Sequence, residues 1–462
     1  MHRGILTALV MTWLPGQLMA AATSHPQAEQ QALDLAKQAI ALRSVRGSGN
    51  QAPKVAELFR AALIAGGIPD STITVVDDTA YLVARWPGSD PKLKPLVISG
   101  HMDVVEAKPS DWQRDPFTPV VENGMLYGRG ATDTKTNDAL AVASLIELKR
   151  QGYKPKRTII LEFSGDEETT MKTSEMIAKA LPRPEMVLNT DGTGGRLDAD
   201  GKPVYFTWEG AEKTANDFEL TAVSAGGHSS APREGENAIA RLSAVLVKID
   251  QYHFKPELND ITRAFFTEAA KFEDQETAAA MRTFVQDPAN EQALAVLRKH
   301  PTLVGRTATT CVPTLVSGGH AVNALPQRAT ANVNCRIFPG HTPAQIIAEL
   351  KQVGGDPQIE FKDVTVGSVA TDASPIRSDL VAAVTQAIRI SYPGVPVIPA
   401  MSAGASDSEW FRRDGVPAYN ISPLFIKSTD QFSHGLNERV PVANMGPAIN
   451  YFLSLIPDLT RK

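Results

Sequence analysis

Three short apolar runs in this chain stop abruptly at histidine or acidic residues, and they constrain the fold more than any other feature. Residues 95–99 lead into Gly100-His101-Met102-Asp103, residues 157–163 into Ser164-Gly165-Asp166-Glu167-Glu168, and residues 185–188 into Asn189-Thr190-Asp191-Gly192. Runs of this length that end in turn residues read as buried strands. Between them the spacing turns helical: residues 137–150 place Ala141, Ser144, Leu145 and Leu148 on one side, and another helix starts near Thr173. Strands alternating with helices predict an α/β unit with a parallel-rich sheet flanked by helices. Ligands bind such sheets beyond the carboxyl ends of the strands. His101, the Glu167-Glu168 pair and Asp191 therefore converge on one rim. Carboxylates gathered without a cation repel one another, and a metal ion offsets that charge. With one carboxylate on the metal and its neighbour free to take a proton, the arrangement suits hydrolysis.

The rest of the chain falls around this unit. Helical spacing at 32–40 and 53–65 is followed by strand-like segments at 72–76 and 80–86. Past Phe206 the character changes. Residues 216–223 alternate, with Phe218, Leu220 and Ala222 on one face, and Gly226-Gly227-His228-Ser229-Ser230 follows. A helix is expected over 237–250, helices within the polar stretch 254–300, strands over 308–316 and 329–337, a helix over 343–353 and a strand near 358–364. Residues 209–368 thus read as an inserted α+β domain, and 23–208 with 369–462 as the catalytic domain. After residue 370 the α/β character returns, with the loop Ser402-Ala403-Gly404-Ala405-Ser406-Asp407 and then Phe432-Ser433-His434-Gly435 before a final helix over 442–455.

The N-terminus has a short basic start, an apolar core from Ile5 to Leu14 and small residues at Ala20, Ala21 and Ala22. That is the shape of a secretory signal over residues 1–22, and it predicts a secreted, periplasmic protein, with an uncleaved anchor as the alternative. The 462 residues carry 46 Lys plus Arg against 51 Asp plus Glu, without a basic block, so no nucleic-acid partner is expected. Only Cys311 and Cys335 are present, which rules out a thiol metal cluster. If their two runs form a hairpin centred near Asn323, the cysteines fall opposite each other. Export permits a disulfide there, and a pair of buried free thiols fits equally well.

The candidate ligands are His101, Asp133, Glu168, Asp191 and His434. Nitrogen and oxygen donors without sulfur suit two hydrolytic ions such as zinc, cobalt or manganese. A shared carboxylate would let the pair lie about 3.5–4 Å apart. Asp103 is expected to hydrogen-bond the far ring nitrogen of His101. His253, His300, His320 and His341 carry no signal and read as solvated.

These motifs resemble the co-catalytic di-zinc amidohydrolases that include aminoacylase, acetylornithine deacetylase, succinyl-diaminopimelate desuccinylase and carboxypeptidase G-type glutamate carboxypeptidases. The similarity lies in Gly100-His101-Met102-Asp103, in Tyr127-Gly128-Arg129-Gly130-Ala131-Thr132-Asp133, in Asp166-Glu167-Glu168, in Asn189-Thr190-Asp191-Gly192 and in Ser433-His434-Gly435, all in family order. The resemblance implies a zinc exopeptidase-like catalytic domain carrying an inserted dimerisation or lid domain. It implies one metal on His101, Asp133 and Asp191 and a second on Asp133, Glu168 and His434. Glu167 would deprotonate a water bridging the ions and pass the proton to the leaving nitrogen. His228 would reach a partner's site in a homodimer and steady the oxyanion. Asn323, Arg336 and the Gly404 backbone would bind the substrate carboxylate, a task suited to the guanidinium fork.

His228 after two glycines also reads as a turn residue, and Arg336 also as half of a structural ion pair. Thr134 stands where the family has Asp, Asn or Met, at a bond expected to be cis. The substrate would be a small peptide or an N-acyl amino acid. Activity as a carboxypeptidase or dipeptidase is expected, with N-acyl-amino-acid deacylation as the alternative. A binding protein on the same fold, the rival from another class, would lack Glu167 or a ligand. A di-metal phosphoesterase would need a phosphate cradle that the sequence does not offer.

Overall fold

A computed structural model describes residues 23–430 and 432–461; the expected signal segment lies outside the described residues. A ten-stranded mixed sheet forms the body. Its centre holds the strands Leu96–His101, Ile159–Ser164, Met186–Asn189 and Ala418–Asn420, paired in parallel. Towards one edge, Ser71–Val76 and Thr79–Trp86 form an antiparallel hairpin that pairs with Ile159–Ser164.

The first two central strands are buried at every position, as expected when helices cover both faces. The period of two then sorts their side chains between two cores. Ile98, Leu161 and Leu188 pack with Leu140 and Phe452, while Val97, Ile160 and Val187 pack with Ile177 and Phe411. The helix Lys135–Arg150 is buried on nearly every side, because the helices Pro26–Ala41 and Met445–Thr460 cover the flanks that the sheet leaves open.

A second, four-stranded antiparallel sheet runs in the order Thr310–Gly318, Arg328–Ile337, Thr214–Val223, Glu360–Asp363. Along Arg328–Ile337, buried Ala329, Ala331, Val333, Cys335 and Ile337 alternate with more exposed neighbours, so one face is covered. The cover is Leu242 and Val245 of the helix Ala238–Gln251 and Ile346 and Leu350 of the helix Pro343–Gly354. Asn237 caps the first of these helices by accepting from the Ala240 amide, and a Thr342–Gln345 capping box starts the second. Cys311 and Cys335 stand opposite each other in the register and are joined in a disulfide.

The helices Asp260–Ala269, Gln275–Gln286 and Glu291–Leu297 come from the long stretch at 254–300. They lie on the large sheet, where Phe266, Met281 and Leu294 pack with Tyr205, Ile398 and Ala400. The strands carrying those three contacts, Pro203–Glu212 and Val397–Ser402, pair in parallel within the large sheet.

Candidate metal centre

Each predicted ligand is delivered by a strand end or a tethered loop. His101 closes its strand with its ring 1% exposed. Its Nδ1 lies 3.1 Å from the backbone carbonyl of Asp103 and its Nε2 lies 3.1 Å from Asp133 Oδ1. A proton on Nδ1 donated to that carbonyl fixes the tautomer and frees Nε2 as a ligand.

The expected role of the Asp103 side chain is thereby corrected. Its carboxylate stands 3.7 Å from the ring, too far for a hydrogen bond. It accepts instead from the Glu167 amide at 3.0 Å and the Glu168 amide at 3.1 Å. The neighbouring strand end offers two unpaired amides there, and a carboxylate meets both at once.

Glu438, which carries no sequence signal, organises the Asp133 loop. One of its oxygens accepts from the Thr132 amide at 2.7 Å and the Asp133 amide at 3.1 Å, the other from the Gly130 amide at 3.0 Å and Arg129 Nη1 at 2.7 Å. The Asp133–Thr134 peptide is cis, as the resemblance implies. Asp166 fixes the acidic loop from behind, accepting from the amides of Lys172 at 3.0 Å and Thr173 at 2.9 Å. Asp191 takes its backbone position from Asn189 Oδ1 at 3.0 Å. His434, at φ +61°, reaches back from the far end of the chain to within 2.9 Å of Glu168 and 3.3 Å of Asp133.

Ligand-type atoms of His101, Asp133 and Asp191 lie within 4.8 Å of one another, and so do those of Asp133, Glu168 and His434. A third set, His101, Glu167 and Glu168, places the expected base against the same cluster. Tetrahedral bonds of about 2.0–2.1 Å separate donor atoms by about 3.3 Å, so the contacts of 2.9–3.3 Å at His434 and 3.1 Å at His101 fit ion coordination.

The charge balance points the same way. Burial, then repulsion from neighbouring carboxylates, pushes Glu167 and Asp191 well above the usual carboxylate range, with His101 opposing. Hydrogen bonds to Asp133 and Glu168 push His434 up to about 10. A buried cluster that clings to protons in this way lacks positive charge, which divalent cations supply.

The other predicted residues lie apart from these sets. His228 and Asn323 occupy an exposed corner of the second layer, where the Ser229 amide donates to the Asn323 carbonyl at 3.0 Å and His228 Nδ1 faces the Ser230 hydroxyl at 2.8 Å. Arg336 stands opposite Thr310 in the second sheet. The Gly404 carbonyl accepts from the Lys213 amide at 3.2 Å. Lys213 itself is fully buried, with its Nζ on Thr310 at 2.9 Å. Burial and the Arg336 charge push its ammonium down to about 7. His341 is not merely solvated: its Nε2 pairs with Glu257 at 2.8 Å, and His300 reaches Thr277 at 3.2 Å.

A family model described as peptidase family M20/M25/M40 matches residues 97–458. Among curated relatives, the probable carboxypeptidase S-like 2 of Dictyostelium discoideum is 27% identical, over 82% of this chain and 74% of its own length. The N-fatty-acyl-amino acid synthase/hydrolase PM20D1 of Mus musculus is 28% identical, over 80% and 75%. Among solved structures, the M20 family metallo-carboxypeptidase Sso-CP2 from Sulfolobus solfataricus superposes with a TM-score of 0.70 at 21% identity, covering 92% of this chain and 98% of that one. The di-peptidase Dug1p from Saccharomyces cerevisiae gives 0.68 at 16% identity, covering 94% and 96%.

Proposed function

Because the chain belongs to peptidase family M20/M25/M40, we propose that it is an exported exopeptidase, a carboxypeptidase or dipeptidase, cleaving an amide bond next to a free carboxylate. The observation that carries this reading is Glu167 held against two ligand sets that share Asp133. Its backbone is clamped by Asp103 and its side chain lies within reach of the same rim.

His101, Asp133 and Asp191 would hold one divalent ion and Asp133, Glu168 and His434 a second, zinc in our reading. Bound ions supply Lewis acidity at the scissile carbonyl. Glu167 takes a proton from the attacking water as its oxygen bonds to the carbonyl carbon. It then returns the proton to the nitrogen as the carbon–nitrogen bond breaks. Arg336 and the Gly404 backbone, beside Lys213, receive the substrate carboxylate.

The four-stranded sheet with the helices Ala238–Gln251 and Pro343–Gly354 serves in this reading as the dimerisation and lid unit, without Pro203–Glu212 and the helices between 260 and 297, which belong with the large sheet. Support comes from the edge strand Thr310–Gly318, where Leu315 is 70% and Val316 68% exposed; an apolar unpaired edge invites a second copy. His228 and Asn323, exposed on the same layer, then serve a partner's site. The Cys311–Cys335 disulfide supports export to an oxidising compartment.

A second reading, hydrolysis of N-acyl amino acids, is favoured by the likeness to the mouse enzyme. Dipeptides and N-acyl amino acids are offered to metal-loaded protein, to Glu167→Ala and to chelated protein. Dipeptide hydrolysis lost in both controls is the expected result. Two bound metals with no hydrolysis of any substrate would overturn the proposal.

A further inference from the structure

A cavity of about 440 Å³ is lined by Thr193, two residues past Asp191, by Tyr205, Thr207 and Glu209 of the strand Pro203–Glu212, and by Leu303 and Arg306. Glu209 forms part of its wall and is only 1% exposed. One carboxylate oxygen, Oε1, accepts from Thr193 Oγ1 at 3.0 Å, and among the described residues no hydrogen bond to Oε2 is found. A methyl group built on Gly192 would stand 3.2 Å from Oε2, so this oxygen abuts the residue next to Asp191.

Among the described residues no lysine, arginine or histidine forms an ion pair with Glu209. Arg306 lines the same cavity, but its Nε donates to the Met401 carbonyl at 2.9 Å, its Nη1 to the Thr302 carbonyl, and its guanidinium lies over the Phe265 ring. A buried carboxylate with one neutral donor is costly until a cation meets it. Burial pushes Glu209 above the usual carboxylate range although the Arg306 and Arg412 charges draw it down, and an arriving ammonium would draw it down further.

We propose that this cavity receives the acyl side of the substrate and that Glu209 anchors an ammonium group there. The inference rests on the exopeptidase reading and narrows it to aminoacyl substrates. In an aminoacyl group the α-nitrogen stands about 2.5 Å from the scissile carbonyl carbon, across two backbone bonds. A carbonyl on the rim therefore puts that nitrogen next to the ligands, on the side where Glu209 abuts Gly192. A basic side chain could bring the same charge from further along the cavity. The far wall carries the Arg196–Glu273 ion pair and His300. A long alkyl chain would strip those charged groups of water, so the cavity disfavours fatty-acyl substrates.

The test compares kcat/KM of metal-loaded protein on four substrates with one common C-terminal residue, whose acyl sides are alanyl, N-acetylalanyl, Nα-acetyllysyl and lauroyl. We expect alanyl to exceed N-acetylalanyl by about 10- to 100-fold, the range of one charge-assisted hydrogen bond, with lauroyl poorest. Glu209→Gln should shrink that ratio to within about threefold, chiefly through KM. An acetyllysyl advantage that Glu209→Gln removes would assign the ammonium to the side chain. Equal rates on alanyl, N-acetylalanyl and acetyllysyl substrates would overturn the inference while leaving the hydrolase reading intact. The wild-type comparison alone decides this if the variant does not fold. No hydrolysis of any of the four would overturn the exopeptidase reading, and this inference with it.

Discussion

The ten-stranded sheet is covered on both faces and gathers buried carboxylates at its rim, among them Asp103, Asp138, Glu167 and Glu438. The four-stranded sheet is covered on one face, and the described structure has no buried carboxylate on its strands. One region stores electrostatic cost where chemistry needs it, and the other is an ordinary amphipathic layer free to act as a surface. The difference teaches that loss of a charged partner should be severe in the first region and mild in the second.

Glu167→Gln probes the first region most directly. It should lower kcat by about 10²- to 10⁴-fold, the usual contribution of a positioned proton-transfer group. Steady-state kinetics on the best dipeptide measures this, and a loss below tenfold would move the base elsewhere.

Next in size is Glu438→Ala, which leaves Arg129, 3% exposed, without its carboxylate. Unfolding in denaturant should show a loss of about 3–5 kcal/mol, and metal titration should show weaker binding as the Asp133 loop loosens. The matching cut in the second layer, Arg241→Ala, breaks a partly exposed pair with Asp356 and should cost no more than about 1 kcal/mol. Equal costs would dissolve the contrast between the regions.

Replacing both Cys311 and Cys335 by Ala opens a disulfide of sequence separation 24. The loss should be about 3 kcal/mol by loop-closure entropy, with kcat retained, because none of the ligand sets nor Glu167 lies on these strands, although Arg336 beside Cys335 lets KM move. A collapse of kcat would mean that the two regions are mechanically coupled.

The smallest change in stability, within about 0.5 kcal/mol, is expected for Leu315→Lys on the exposed edge strand. If the proposed dimer forms through this edge, sedimentation should nevertheless shift to monomer. An unchanged dimer would place the interface elsewhere.

The central strands were legible because each is a short run closed by turn residues, and the ligands because they stand at those ends. Pro203–Glu212 and Val397–Ser402 were not. They pair with each other across almost the whole second layer, and nothing local records a partner so distant. The helices between 260 and 297 were foreseen, but not the surface they cover, because amphipathic spacing says that a face is buried and not against what. Glu438 escaped notice because its importance comes from the amides around it, which no residue pattern announces. The Asp103 carboxylate was aimed at the wrong neighbour, since proximity in sequence to His101 counted for less than the unpaired amides of the adjacent strand end.

The loop that carries His434 also carries Glu438, which bonds the Asp133 amide across 305 residues of chain. Two segments far apart in sequence thus complete a single centre, and the order of folding then matters. A partly folded chain in which this loop is not yet seated can gather His101, Asp133 and Asp191, but it lacks His434 and the clamp on Asp133. Hydrolytic competence therefore waits on the seating of residues 434–438 against the Asp133 loop.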